Sequence, residues 1–308
     1  MILAVDIGGT AAKMALVDGA GAISARFETA TCIDSYRVPV MDAVIAGIEA
    51  FLRDTGASPE GIAVSATGQV DTESGTVIGT DGKIPGYEGT PVRALLEEKF
   101  HVPVTVLNDA NAAALGECFA GRGRGCKNVV MVTLGTGIGG GVVIDSAIYG
   151  GNRGIAGEIG HFTLYQNGPR CSCGKRGCFE LYASAAALVR CGIALTGETA
   201  LTGKTIFGRA GRGDARMLSL IDQWTDNIAA GISGLIHIFS PELVLVGGGV
   251  SSQEKLLMEP LREKVKAQLM PRFAEKLNLQ AAALGNDAGM IGAAAYWMKQ
   301  YAKREDLQ

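Results

Sequence analysis

The sequence has no excess of positive charge: across 308 residues, 28 lysines and arginines face 31 aspartates and glutamates, a formal charge of -3. That balance argues against a nucleic-acid surface, so an anionic ligand must be held locally by backbone dipoles, a few cations or a metal. No basic-then-apolar leader precedes the first apolar segment, and no uninterrupted apolar run reaches the roughly 18 residues needed to span a bilayer. The expectation is a cytoplasmic protein with no membrane partner. A disulfide framework is also missing: of seven cysteines, Cys32, Cys118, Cys126 and Cys191 are scattered and the other three are clustered, a pattern of metal ligands plus buried thiols. With 47% hydrophobic and 19% charged residues, the chain is long enough for two packed cores, and two α/β lobes are the natural reading.

The clustered cysteines organise the rest. Cys171, Cys173 and Cys178 can fold three thiolates round one point, because Gly174 and Gly177 allow tight turns between them, and His161 upstream supplies a fourth ligand. A polar, glycine-rich loop cannot bury sulfur in an apolar core, which favours zinc over ordinary buried thiols. Four protein ligands leave no position open for water, so the zinc is expected to be structural. Its product is geometry. Glu158, His161 and Glu180 are held close together, and two carboxylates with an imidazole suit the hydroxyls of a sugar.

The pairing of Glu158-x-Gly160-His161 with Cys171-x-Cys173-Gly174-x-x-Gly177-Cys178-x-Glu180 resembles the signature of the ROK family, which holds bacterial sugar kinases and sugar-responsive repressors. The remaining motifs fit that resemblance from Asp6 to Asp287.

Ile2 to Ile7 is an apolar strand ending in Asp6-Ile7-Gly8-Gly9-Thr10, and Lys13 to Val17 returns, a hairpin with a glycine turn. Glycines let backbone amides approach a phosphate, Thr10 adds a hydroxyl, and Asp6 can hold Mg²⁺ directly or through water. Alone, such a turn fits a bare hairpin equally well. The pattern recurs: Asn128 to Leu134 is a strand, Gly135-Thr136-Gly137-Ile138-Gly139-Gly140-Gly141 a second glycine turn, and Val142 to Ile144 the return. This internal duplication resembles the actin-like, ribonuclease-H-like ATPase fold, in which two α/β lobes clamp a nucleotide in the cleft between them. A third turn, Gly247-Gly248-Gly249, follows the strand Leu243 to Val246 and suits the adenosine end. The ATP set is therefore Asp6, Gly8, Gly9, Thr10, Lys13, Gly135, Thr136, Gly137, Gly248 and Gly249.

Val102 to Leu107 is a strand that ends at Asn108-Asp109, where a helix begins. Asp109 at such a junction is either a helix cap or a cleft carboxylate. The resemblance implies the second: the Asn108-Asp109 pair matches residue for residue, with Asp109 the catalytic base of the ROK kinases. The resemblance also puts the strand end at Gly68, with Asn108, Glu158, His161 and Glu180, against the sugar. Two departures bear on which sugar. Thr67 stands where glucose-phosphorylating relatives usually have proline, and a sugar-binding asparagine of the next loop is replaced near Lys83.

Elsewhere, Met41 to Arg53 and Ala215 to Phe239 are expected as helices, with His237 in the core, and Gly121 to Lys127 as a solvated basic loop. Asn286 or Asp287 is expected to cap a helix running to about Met298, and Lys303 to Gln308 to form a charged tail. The resemblance implies a smaller lobe of residues 1–116 plus 290–308, a larger one of 117–289 with the zinc knuckle, and hinges near Leu115 and Gly289. The function expected is transfer of the terminal phosphoryl group of ATP to the 6-hydroxyl of a hexose, glucose or N-acetylmannosamine, with Mg²⁺ and structural Zn²⁺, by a homodimer. The alternatives are a non-catalytic sugar sensor and a repressor, whose winged-helix segment is not expected because the chain starts at the strand itself.

Overall fold

The computed structural model describes residues 1–305. Apolar runs build two sheets of identical plan. In the first, β1 (Ile2–Ile7) pairs antiparallel with β2 (Ala11–Val17), and β2 with β3 (Ile23–Ala30). After α1 (Val40–Thr55), β4 (Gly61–Ala66) lies parallel to β1. The short hairpin β5 (Gln69–Asp71) and β6 (Thr76–Gly79) and helix α2 (Val92–Phe100) then lead to β7 (Val104–Asn108), parallel to β4. The order is β3-β2-β1-β4-β7. β1 and β4 are buried on both faces, as an apolar run without alternation requires, whereas β3 alternates half-buried and exposed residues as an edge strand.

Helix α3 (Asp109–Ala120) leads to the second sheet. There β8 (Val129–Leu134), β9 (Ile138–Ile144) and β10 (Ala147–Ile148) form the antiparallel part. The helices α4 (Glu180–Ala183), α5 (Ala185–Thr196), α6 (Gly203–Ala210) and α7 (Ala215–Phe239) precede β11 (Leu243–Gly247). A π-helical turn over Glu254–Met258, then α8 (Glu259–Gln268) and α9 (Pro271–Ala274), bring the chain to β12 (Leu279–Ala281). The order β10-β9-β8-β11-β12 repeats the first sheet strand for strand, with the same parallel and antiparallel pairings. The duplication inferred from two glycine turns is thus an actin-like, ribonuclease-H-like pair of lobes.

The last helix, α10 (Ala288–Glu305), returns to the first sheet, where Met290, Ala293, Ala294 and Trp297 pack on Ile2, Ala4 and Ala63. Its mirror, α3, packs Ala114 on Val129, Met131 and Val143 of the second sheet. These two helices lie against each other between the lobes. Gly116 faces the Ala288 carbonyl and Gly292 faces the Ala112 carbonyl so closely that neither position has room for a Cβ, the contact that lets two backbones cross without side chains between them.

Several expectations change. Of the four scattered cysteines expected as buried thiols, Cys32 and Cys191 are exposed and Cys118 and Cys126 half-buried. Gly139, Gly140 and Gly141 are in β9, not in the turn, which is confined to residues 135–137; the three are small because Ala110, Ala114 and Ile159 press on that strand. His237 is exposed, not in the core: it lies in the last turn of α7, where its Nε2 accepts from the Met270 amide at 3.3 Å and its ring meets Phe273 edge-on. Asp287 does not cap α10; its carboxylate takes both guanidinium arms of Arg26 on β3, one at 2.9 Å. Of the tail expected over Lys303 to Gln308, residues 303–305 continue α10 and residues 306–308 lie outside the described residues. Among the described residues, no helix is long and apolar enough to cross a membrane.

Candidate active site

A cleft of about 760 Å³ opens between the sheets, a size suited to a small-molecule ligand. Its walls are the carboxyl ends of parallel strands and the two duplicated turns, where an α/β fold collects ligands. The cleft brings together Asp6, Gly8, Lys13, Gly68, Asn108, Asp109, Gly135, Thr136, Gly137, Glu158, His161, Glu180 and Gly248. Three expected residues lie outside its lining. Gly9 and Thr10 turn toward the segment from Thr31 to Tyr36, with Gly9 O accepting from the Tyr36 hydroxyl at 2.6 Å and Thr10 O from the Thr31 amide at 3.0 Å. Gly249 faces a second cavity of about 1080 Å³ that shares Gly135 with the cleft and is lined by Lys204, Phe207, Arg209 and Gln253 among others.

At the head of α3 the choice between cap and cleft carboxylate resolves by position. Asn108 is the cap, its Oδ1 accepting from the amides of Ala110 at 3.0 Å and Asn111 at 3.1 Å. Its Nδ2 donates to Gly68 O at 2.9 Å and to Asp109 Oδ1 at 3.0 Å, which ties the Gly68 strand end to the helix. Asp109 Oδ1 also accepts from the Ala110 amide at 2.7 Å, and its other oxygen has no partner among the described residues. The residue is partly open to the cleft, but its carboxyl is deeply surrounded by protein. Burial, against the relief of the Ala110 amide and with further repulsion from Asp6 and Glu158, pushes Asp109 up to about 6.

Asp6 lies opposite Lys13 and Ser65 in the strand register. The Ser65 hydroxyl donates to Asp6 Oδ1 at 2.7 Å. Burial still raises the Asp6 carboxyl, outweighing Ser65 and the Lys13 ammonium, so this carboxylate has unmet demand for positive charge and fits a magnesium ion bound with a nucleotide. Ser65 was missed in sequence because it sits inside an otherwise apolar strand; its register with Asp6 is the signal that finds it.

On the other wall, Glu180 begins α4 and its Oε2 accepts from the Ile138 amide at 3.0 Å, pressing on Gly137. The acid side of the knuckle is thereby fastened to the second glycine turn. His161 and Cys171, Cys173 and Cys178 place one ligand atom each within 4.8 Å of one another, with Cys171 Sγ 3.6 Å from His161 Nδ1 and Cys173 Sγ 3.5 Å from Cys178 Sγ. Burial and the adjacent thiols push Cys178 up to about 12, so that thiol keeps its proton until a cation displaces it. Three sulfurs and one imidazole nitrogen fit tetrahedral zinc with no open position. Lys83, at the site of the second sequence departure, lines the cleft with its ammonium paired to Asp81.

The model of the ROK family matches residues 2–300. The glucokinase of Halalkalibacterium halodurans is 36% identical over 94% of this chain and 92% of its own length. The N-acetylmannosamine kinase of Haemophilus influenzae is 32% identical over 96% and 95%. Among solved structures, a ROK family glucokinase from Streptomyces griseus in complex with glucose and AMPPNP superposes with a TM-score of 0.83 at 33% identity, covering 96% of this chain and 98% of that one.

Proposed function

The chain belongs to the ROK family, and from that premise we propose that it is a sugar kinase that moves the terminal phosphoryl group of ATP to the 6-hydroxyl of a hexose. The observation that carries the proposal is the setting of Asp109: a carboxyl raised to about 6, with one oxygen held by Ala110 and Asn108 and the other free toward the cleft. A base so placed is ionised at neutral pH yet basic enough to accept a hydroxyl proton.

In this reading Asn108, Gly68, Glu158, His161 and Glu180 hold the sugar, the carboxylates accepting from its hydroxyls. Asp109 orients the 6-hydroxyl and takes its proton as that oxygen bonds to the phosphorus and the bond to ADP breaks. Proton transfer can come late, because phosphoryl transfer proceeds through a loose transition state and depends mainly on positioning and charge. The amides of Gly8 and of Gly135, Thr136 and Gly137 face the phosphates, Lys13 adds a cation, and Gly248 and Gly249 border the nucleoside. Gly9 and Thr10 support the first turn from behind. Mg²⁺, when bound with the nucleotide, supplies charge to the phosphate oxygens, and Asp6 is the residue to hold it. Zinc would hold His161, Cys171, Cys173 and Cys178 and so fix Glu158 and Glu180. Residues 1–116 with 290–308, and residues 117–289, act as two lobes closing about the crossing of α3 and α10.

Glucose and N-acetylmannosamine are the leading substrates, named by relatives of similar identity. The test is ADP release with ATP and Mg²⁺ across glucose, N-acetylmannosamine, N-acetylglucosamine, mannose and a β-glucoside, with Asp109→Asn beside the parent. Sugar-dependent turnover that falls by about 10³-fold or more in the variant is expected for loss of a positioned base in a site with no substitute. No turnover on any sugar, by protein that binds ATP and contains zinc, refutes the kinase reading.

A further inference from the structure

Glu158 ends a loop, residues 149–158, that follows β10 of the second sheet but is anchored elsewhere. One anchor is Asp71 on the β5–β6 hairpin of the first lobe, a carboxylate only 1% exposed. It is ion-paired to Arg153, whose own side chain is 59% exposed. The Thr72 amide donates to Arg153 O at 3.1 Å, and Gly154 packs on the Thr72 side chain. The hairpin turn is itself braced by Arg93, which donates to Glu73 O at 2.6 Å and Thr72 O at 2.8 Å. A buried carboxylate is tolerated when a cation meets it, so the hairpin requires Arg153, and with it the loop, to be in place.

The second anchor is Asn111, two residues beyond Asp109 and 2% exposed. Its Nδ2 donates to Ala156 O at 3.3 Å. Its Oδ1 is buried with no donor, and the adjacent Gly157 amide donates to no group among the described residues. Gly157 has φ +99, and a Cβ there would stand 3.1 Å from Asn111 Oδ1 and 2.8 Å from Gly140 O, so the loop backbone rests on the carboxamide itself. An unpaired buried acceptor beside an unpaired amide is relieved by a small movement of the loop toward α3.

We propose that Arg153, acting through Asp71, and Asn111, acting through Ala156, are positioning residues that set Glu158 against the sugar, so that a first-lobe hairpin governs sugar affinity. This rests on the sugar-kinase reading. Asn111 borders the cleft, but among the described residues neither side chain hydrogen-bonds a phosphate turn, so sugar and nucleotide parameters must separate when either anchor is cut.

The experiment uses the full chain with Arg153→Met, Arg153→Lys, Asn111→Ala and the neutral pair Asp71→Asn with Arg153→Met, which avoids a stranded buried charge. Steady-state constants are measured for the sugar the parent turns over and for ATP, alongside amide exchange. The expected result is a sugar KM raised about tenfold or more in Arg153→Met, the neutral pair and Asn111→Ala, with the KM for ATP within about twofold. Arg153→Lys restores most of the loss, because an ammonium still meets Asp71. Exchange at the Ala156 amide, which donates to Gly150 O, accelerates about tenfold or more without ligand, while Cys171 and Gly174 of the knuckle are unchanged. Sugar and ATP constants moving together, unchanged constants, or exchange that spreads into the knuckle would overturn the proposal. The exchange arm needs no turnover: a parent inactive on every hexose removes the kinase reading, and the Ala156 result then decides by itself whether the anchors hold the loop.

Discussion

Replacing Asp109 by Asn should make the protein more stable, and the gain should depend on pH in a direction fixed by the site. The carboxyl stands at about 6 in the fold against 3.8 as a free side chain. That difference corresponds to about 3 kcal/mol of cost for holding the ionised form, and about 1–2 kcal/mol once the opening to the cleft is allowed to screen it. The folded value is raised, so the favourable contribution is complete below the unfolded value near 3.8 and is lost as pH rises through 6. Asparagine has the same shape, keeps an oxygen for the Ala110 amide, and carries no charge at any of these pH values. The variant should therefore exceed the parent by about 1–2 kcal/mol at pH 8, a rise in Tm of roughly 2–6 °C, and by about half that at pH 5. Urea unfolding at pH 5, 6, 7 and 8, without nucleotide or Mg²⁺, measures it. A variant less stable than the parent at pH 8, or a difference that does not change with pH, would refute the claim that burial raises this carboxyl. The same substitution abolishes turnover in the proposed mechanism, so one residue would show stability given up for function.

Two further outcomes follow from the same geometry. In the proposed mechanism Asp109 must be ionised in the free enzyme, so kcat/KM for the sugar should fall about tenfold per pH unit below about pH 6; a profile level down to pH 5 would remove Asp109 as base. Stripping metal with a chelator should release one zinc per chain, expose three further thiols to a thiol reagent and weaken sugar binding by about tenfold or more, since Glu158 and Glu180 lie beside the knuckle. Sugar affinity indifferent to the chelator would separate the cluster from the site.

Much of this arrangement could be read in the residues. The knuckle was legible because three sulfurs and an imidazole in one polar stretch have few other uses, and the duplicated lobes because apolar strands ending in glycine turns occur twice. What escaped the sequence depended on partners far along the chain. Asn108 rather than Asp109 is the cap, a distinction made by which side-chain oxygen meets the Asn111 amide. Gly139 to Gly141 read as turn because nothing local says that α3 presses on Gly139 and Gly141 and Ile159 on Gly140. Asp287 looked like a cap until Arg26, on the far strand of the first sheet, claimed it. His237 sits on a helix with an apolar stripe but off that stripe: Leu235 and Ile236 beside it enter the core, while its ring meets Phe273 at the surface.

The two halves of the site differ in origin, and the difference explains which half was easier to read. The turns proposed to face the phosphates are the β1–β2 and β8–β9 connections of a repeated sheet, equivalent positions that line one cleft. In the proposed mechanism these turns offer mainly backbone amides, and a sheet built twice places them twice. The groups proposed to face the sugar come from segments that occur once: the Gly68 strand end, the loop before Glu158 and the knuckle before Glu180. Each of these must be located by a specific long-range bond, Asn108 to Gly68, Asn111 to Ala156, Glu180 to Ile138. Two of the three start from the first turn of α3, the same turn that carries Asp109. In the proposed mechanism sugar position and base position are therefore set by one rigid element, and a change of sugar preference is most readily made where that element does not reach, at the Lys83 loop, whose ammonium pairs with its own neighbour Asp81 and also feels the Glu180 carboxylate.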